Sequence, residues 1–125
     1  MFLSAILKRG EEGKDVRNYL KRIQDGELQG ATSALTYDEI FWITKKYRSF
    51  ERALIASKAF LEMPNLTILP VDADVLWRAH KLSAKYKLHP RDAIHAACAL
   101  MNNITTIISE DEDFDRVKGL ERRSL

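Results

Sequence analysis

Apolar residues recur along the chain at two spacings, one helical and one extended. Leu3, Ile6 and Leu7 share one helical face, Gly10 and Gly13 interrupt it, and Val16, Tyr19, Leu20 and Ile23 resume it. This spacing predicts two short helices with a kink between them. Asp25-Gly26 marks a turn, and Glu27 to Ser33, ending in Ala31-Thr32-Ser33, predicts a short strand. Thr36-Tyr37-Asp38-Glu39 matches a capping box, so a helix is expected from there to about Lys46, carrying Ile40 and Ile43. Ser49 to Glu62 predicts a further helix with Phe50, Ala53, Leu54, Phe60 and Leu61 inward, stopped by Pro64-Asn65. Leu66-Thr67-Ile68-Leu69 suits a strand ended by Pro70, after which Asp72 or Asp74 can cap a helix buried along Val75, Leu76, Ala79, Leu82 and Tyr86. Pro90 fits the first turn of another helix, with Ala93, Ile94, Ala97, Leu100 and Met101 on its apolar face and Asn102-Asn103 at its end. Ile104 to Ile108 then reads as a buried strand, followed by the acidic run Glu110-Asp111-Glu112-Asp113.

Strands that alternate with helices in this way predict an α/β fold, with a mainly parallel sheet covered by helices on both faces in three layers, α/β/α. At 125 residues the chain suits a single domain, 1–125. With 46% hydrophobic and 30% charged residues it can bury a core, which excludes disordered and fibrous classes. A net charge of +2 gives no whole-surface attraction for nucleic acid, so any such role must be local. The lone cysteine, Cys98, lies in an apolar stretch with no second thiol, which fits a core position in a reducing, cytoplasmic setting. No segment approaches the roughly 20 apolar residues that span a bilayer, and Met1 to Leu7 do not make a signal peptide.

In sheets of this kind the functional crevice lies beyond the carboxyl ends of the strands. Glu39, Asp92 and Asp111 fall there, and each also has a purely structural reading. Glu39 can close its own capping box, Asp92 can offset the dipole of the helix opened by Pro90, and the run from Glu110 to Asp115 can be a solvated loop. If the acids converge, two carboxylates about 5 Å apart repel by roughly 3 kcal/mol at an effective dielectric near 20. Such a group must take up protons or bind a divalent cation, and oxygen donors select Mg²⁺ or Mn²⁺ over zinc. That metal chemistry is suited to phosphodiester hydrolysis. Other constellations are poor: His80, His89 and His95 form no zinc pair, no glycine-rich phosphate loop occurs, and Trp42 and Trp77 read as core or interface. Ser33 and Ser109 follow strands, where they can cap the strand end or bond a metal-bound carboxylate.

Ala31-Thr32-Ser33-Ala34-Leu35-Thr36-Tyr37-Asp38-Glu39, Pro90-Arg91-Asp92-Ala93-Ile94-His95-Ala96-Ala97 and Ile107-Ile108-Ser109-Glu110-Asp111-Glu112-Asp113-Phe114 together resemble, in order and spacing, the PIN domain of VapC-type toxins. The resemblance implies a metal-dependent ribonuclease with Glu39, Asp92 and Asp111 as catalytic acids and metal ligands, and Asp113 as a further ligand. It implies Mg²⁺ or Mn²⁺ as cofactor, single-stranded or looped RNA as substrate, an antitoxin protein as partner and a homodimer. Lys45, Lys46 and Arg91 are the basic residues expected to hold the RNA. The family opens with a central strand ending in an acid, and here Met1 to Leu7 resembles the helix that follows it. That strand and its acid are therefore expected to be missing, with the natural start upstream of Met1. A chain so altered could instead be an inactive interaction module of the same fold. A phosphatase or other metal-dependent hydrolase using the same acids is a further reading.

Overall fold

The computed structural model describes residues 2–3 and 11–124, with side chains from Asn18 onward. Five strands, β1 (Phe2–Leu3), β2 (Gly30–Ser33), β3 (Leu66–Leu69), β4 (Thr106–Ile108) and β5 (Glu121–Arg123), form one sheet in the order β3-β2-β1-β4-β5. All four pairings are parallel. The order reverses between β1 and β4, which creates a crevice outside the carboxyl ends of the strands.

The central strand corrects the expectation of a missing one. Phe2 pairs with Ala31 on one side, and Phe2 and Leu3 pair with Ile107 and Ile108 on the other. Two extended residues are enough to bridge β2 and β4, so Leu3 belongs to a strand rather than to a helix. Ile6, Leu7 and Gly10 lie outside the described residues. Residues 1–10 contain no Asp or Glu. The helix α1 (Glu11–Gln24) runs through Gly13 without interruption there, and the rest of the expected first helix lies outside the described residues.

The sheet separates two apolar layers, because neighbouring residues of a strand point to opposite faces. Ile107 packs with Leu69, Val75, Ala79, Leu82, Ala96, Ala97 and Phe114, whereas Ile108 packs with Ile23, Tyr19 and Leu20 of α1. The first layer is built by α4 (Ala73–Tyr86) and α5 (Pro90–Met101), so the domain has the expected three layers. Gly30 permits the close approach of α1, since a Cβ there would stand 2.6 Å from Ile23 Cδ1. Asp72 caps α4 by accepting from the Val75 amide at 3.0 Å, and α4 ends at Lys87 in the left-handed region.

The remaining helices, α2 (Leu35–Tyr47) and α3 (Phe50–Leu61), pack against each other as a hairpin. Ser49 caps α3 through the Arg52 amide, and Ala53 and Phe60 are buried as expected. Phe50, Leu54 and Leu61 of α3 are instead exposed, as are Leu76 and Trp77 of α4 and Met101 of α5. Trp42 is exposed too, so neither tryptophan lies in the core. Tyr86 is only half-buried. β5 escaped the sequence reading because Glu121-Arg122-Arg123 is a short, charged edge strand, a composition that blunts further pairing. Among the described residues, no helix is long and apolar enough to cross a membrane.

Candidate metal centre

Chain direction explains why acids gather at one edge. α2 begins where β2 ends, and α5 runs back toward the start of β4, so the first turns of both helices lie at the carboxyl end of the sheet. The loop after β4 opens at the same edge. It is fixed there by Phe114, whose full burial contributes about 2–3 kcal/mol. Within the loop the Asp111 amide donates to Ser109 Oγ at 3.0 Å, and Asp111 Oδ1 accepts from the Asp113 amide at 2.9 Å. Arg122 of β5 braces it from outside, donating to both carboxylate oxygens of Asp115 and to the Ser109 carbonyl.

Asp92, Asp111 and Asp113 each present a carboxylate oxygen within 4.8 Å of the others, and all three are half-buried. Burial together with the Asp111 carboxyl beside it pushes the Asp92 carboxyl up to about 6, with a smaller opposing effect from His95. A carboxyl that resists ionisation at the first turn of a helix, where the dipole favours an anion, marks unresolved repulsion. Three converging oxygen donors match the preferences of Mg²⁺ or Mn²⁺. Arg116 partly neutralises the group by donating to Asp113 Oδ1, while its other terminal nitrogen donates to the Tyr86 carbonyl at 2.7 Å.

The structure does not bring Glu39 into this group. Its side chain is buried, and its Oε1 accepts from His95 Nε2 at 2.7 Å. The capping box does not form: Ala34 is the N-cap, without a side-chain bond, and Thr36 lies inside α2 with its hydroxyl 2.7 Å from that of Thr32. His95 is buried between Glu39 and Ser33, whose Oγ lies 3.1 Å from Nδ1. The available signal was its position three residues after Asp92, on the same helical face. Arg91 stands beside Asp92 and is exposed. Lys45 and Lys46 lie in the last turn of α2, about 10 Å along the helix axis from Glu39, where Lys46 Nζ sits over the Trp42 ring at 4.8 Å. Cys98 is buried and its thiol is pushed up to about 11 by that burial, as befits a core residue.

The sequence matches the family model of the PIN domain over residues 2–120. No curated relative matches it. The fold is similar to that of a chain in DNA-bound VapBC from Salmonella typhimurium, with a TM-score of 0.71, 17% identity and coverage of 98% of this chain and 96% of that one. VapBC2 from Rickettsia felis, bound to a DNA fragment from their promoter, gives a TM-score of 0.70 at 19% identity, covering 98% and 96%. VapBC-1 from nontypeable Haemophilus influenzae gives 0.67 at 18%, covering 99% and 98%. At such identities the structural likeness is one of fold. The parallel sheet, its acid-lined edge and the match over nearly the whole sequence agree, and the chain belongs to the PIN-domain family.

Proposed function

We propose that the chain is a VapC-type toxin, a metal-dependent endoribonuclease acting on single-stranded or looped RNA. The observation that carries this reading is the convergence of Asp92, Asp111 and Asp113 at the carboxyl edge of the sheet in a PIN-family chain. These three carboxylates are the ligands for one Mg²⁺ or Mn²⁺. When bound, such an ion supplies Lewis-acid activation of water and of the phosphodiester. Glu39 borders the group as a buried anion held by His95 rather than as a direct ligand. Arg91, exposed beside Asp92, offers a cation to the RNA backbone, which a negatively charged cleft would otherwise repel.

The proposed partner is an antitoxin, because the similar solved structures are toxin–antitoxin complexes. Its docking face is the α2–α3 hairpin, where Trp42, Phe50, Leu54, Ile55 and Leu61 are exposed. A patch of that kind suits protein contact. Sedimentation of the chain alone distinguishes this from a homodimer using the same face.

The test is cleavage of a mixed-sequence single-stranded RNA with Mn²⁺, with and without chelator, by the chain and by its Asp92→Asn variant. Product that needs Mn²⁺ and vanishes in the variant supports the nuclease. A second reading is an inactive interaction module of the same fold. RNA or protein binding without cleavage would select it.

A further inference from the structure

Five buried polar side chains gather beside the acidic group, joined by three hydrogen bonds. Thr32 and Thr36 share a hydroxyl–hydroxyl bond of 2.7 Å, Glu39 lies one turn after Thr36 on α2, and His95 Nε2 donates to Glu39 at 2.7 Å. His95 Nδ1 pairs with the hydroxyl of Ser33 at 3.1 Å, and Ser33 adjoins Thr32 on β2. All five are at most 5% exposed. Three elements, β2, α2 and α5, are thereby tied at one point.

The need for such a tie follows from the composition of α5. Its fully buried apolar side chains are Ala93, Ala96, Ala97, Cys98 and Ala99, all small, with Ile94 and Leu100 packed at the margin of the core. Apolar burial holds the helix down but is non-directional, so a smooth face leaves sliding and rotation weakly specified. Hydrogen bonds have defined lengths and angles and supply what the alanines lack. A buried polar or ionic pair adds little net stability compared with apolar packing, and fixing position is one physical use for it.

We propose that His95 is a positioning residue: by clasping Glu39 and Ser33 it fixes the register of α5 and so sets where Asp92 meets Asp111 and Asp113. The inference rests on the reading of those aspartates as metal ligands. Asp92 precedes His95 by three residues on one face, so any shift of the clasp is passed to the carboxylate through a rigid turn.

The experiment is Mn²⁺ titration calorimetry with thermal melting, on the full chain and four variants. His95→Leu strands a buried carboxylate and is expected to melt lower, whereas Glu39→Leu/His95→Leu removes charge and partner together and is expected to recover most of the loss. Positioning requires that Mn²⁺ affinity stay about tenfold or more below wild type in the recovered double variant. His95→Gln keeps an N–H toward Glu39 and is expected to bind within about threefold of wild type. A double variant that regains affinity along with its melting temperature overturns the proposal. Should neither leucine variant fold, Ser33→Ala removes one of the three bonds, and a severalfold loss of Mn²⁺ affinity supports the proposal while unchanged affinity overturns it. A wild-type chain that binds no Mn²⁺ overturns the metal reading itself, and the positioning role with it.

Discussion

Two sets of carboxylates stand at the same edge of the sheet and are treated in opposite ways. Glu39 is the more deeply buried, yet its charge is met by the His95 imidazole. Asp92, Asp111 and Asp113 are only half-buried, yet they face one another, and Arg116 on Asp113 is the one guanidinium paired to them among the described residues. A carboxylate with an internal partner can serve the fold alone, whereas converging carboxylates must take up protons or a cation. On the reading proposed here, burial and metal binding select different carboxylates.

The sharpest way to break this contrast is to remove a carboxylate from each region. Glu39→Ala leaves His95 Nε2 without its carboxylate acceptor in the core and is expected to lower stability by about 3 kcal/mol in urea denaturation. Asp92→Asn is expected to abolish Mn²⁺-dependent RNA cleavage by a factor of about 100 or more, since it removes a ligand. In the metal-free chain the same change is expected to raise stability at pH 7.5 by about 1–2 kcal/mol, a figure reduced for the solvent access of a half-buried group. Loss of stability in Asp92→Asn, or none in Glu39→Ala, would erase the distinction.

The pH dependence sharpens it further. Asp92 titrates near 6 in the folded chain against an ordinary value of 3.8, so its favourable contribution is complete below about pH 4 and lost as pH rises through 6. Relative to Asp92→Asn, metal-free wild type is therefore expected to lose stability between pH 4 and 7, and saturating Mn²⁺ is expected to abolish that loss. The smallest effect expected is at Arg116, which competes for Asp113: Arg116→Ala should tighten Mn²⁺ binding about two- to fivefold by calorimetry.

Much of this was legible in the sequence. The helices after Ser49, Pro70 and Pro90 and the strand at Leu66–Leu69 followed from periodicity and turn residues. β1 was not legible, because two residues carry no period, and β5 was not, because its three residues are charged. The exposed faces of Phe50, Leu54 and Leu61 were misassigned, since an apolar stripe does not say whether the chain itself covers it. The order of the acids pointed to Asp92, Asp111 and Asp113, and the fold brings these three carboxylates together. The separation of Glu39 from that group depends on a bond to a residue 56 positions away, and local pattern gave the capping box instead. A tertiary hydrogen bond of that span leaves no trace in spacing.

The central claim is that three aspartates bind the divalent ion while Glu39 does not. Mn²⁺ binding measured by electron paramagnetic resonance on wild type, Asp92→Asn and Glu39→Gln tests it most directly, since glutamine keeps an acceptor for His95. One Mn²⁺ per chain is expected, with affinity lowered about tenfold or more in Asp92→Asn and within about threefold of wild type in Glu39→Gln. Equal losses in both variants, or none in Asp92→Asn, would contradict the account.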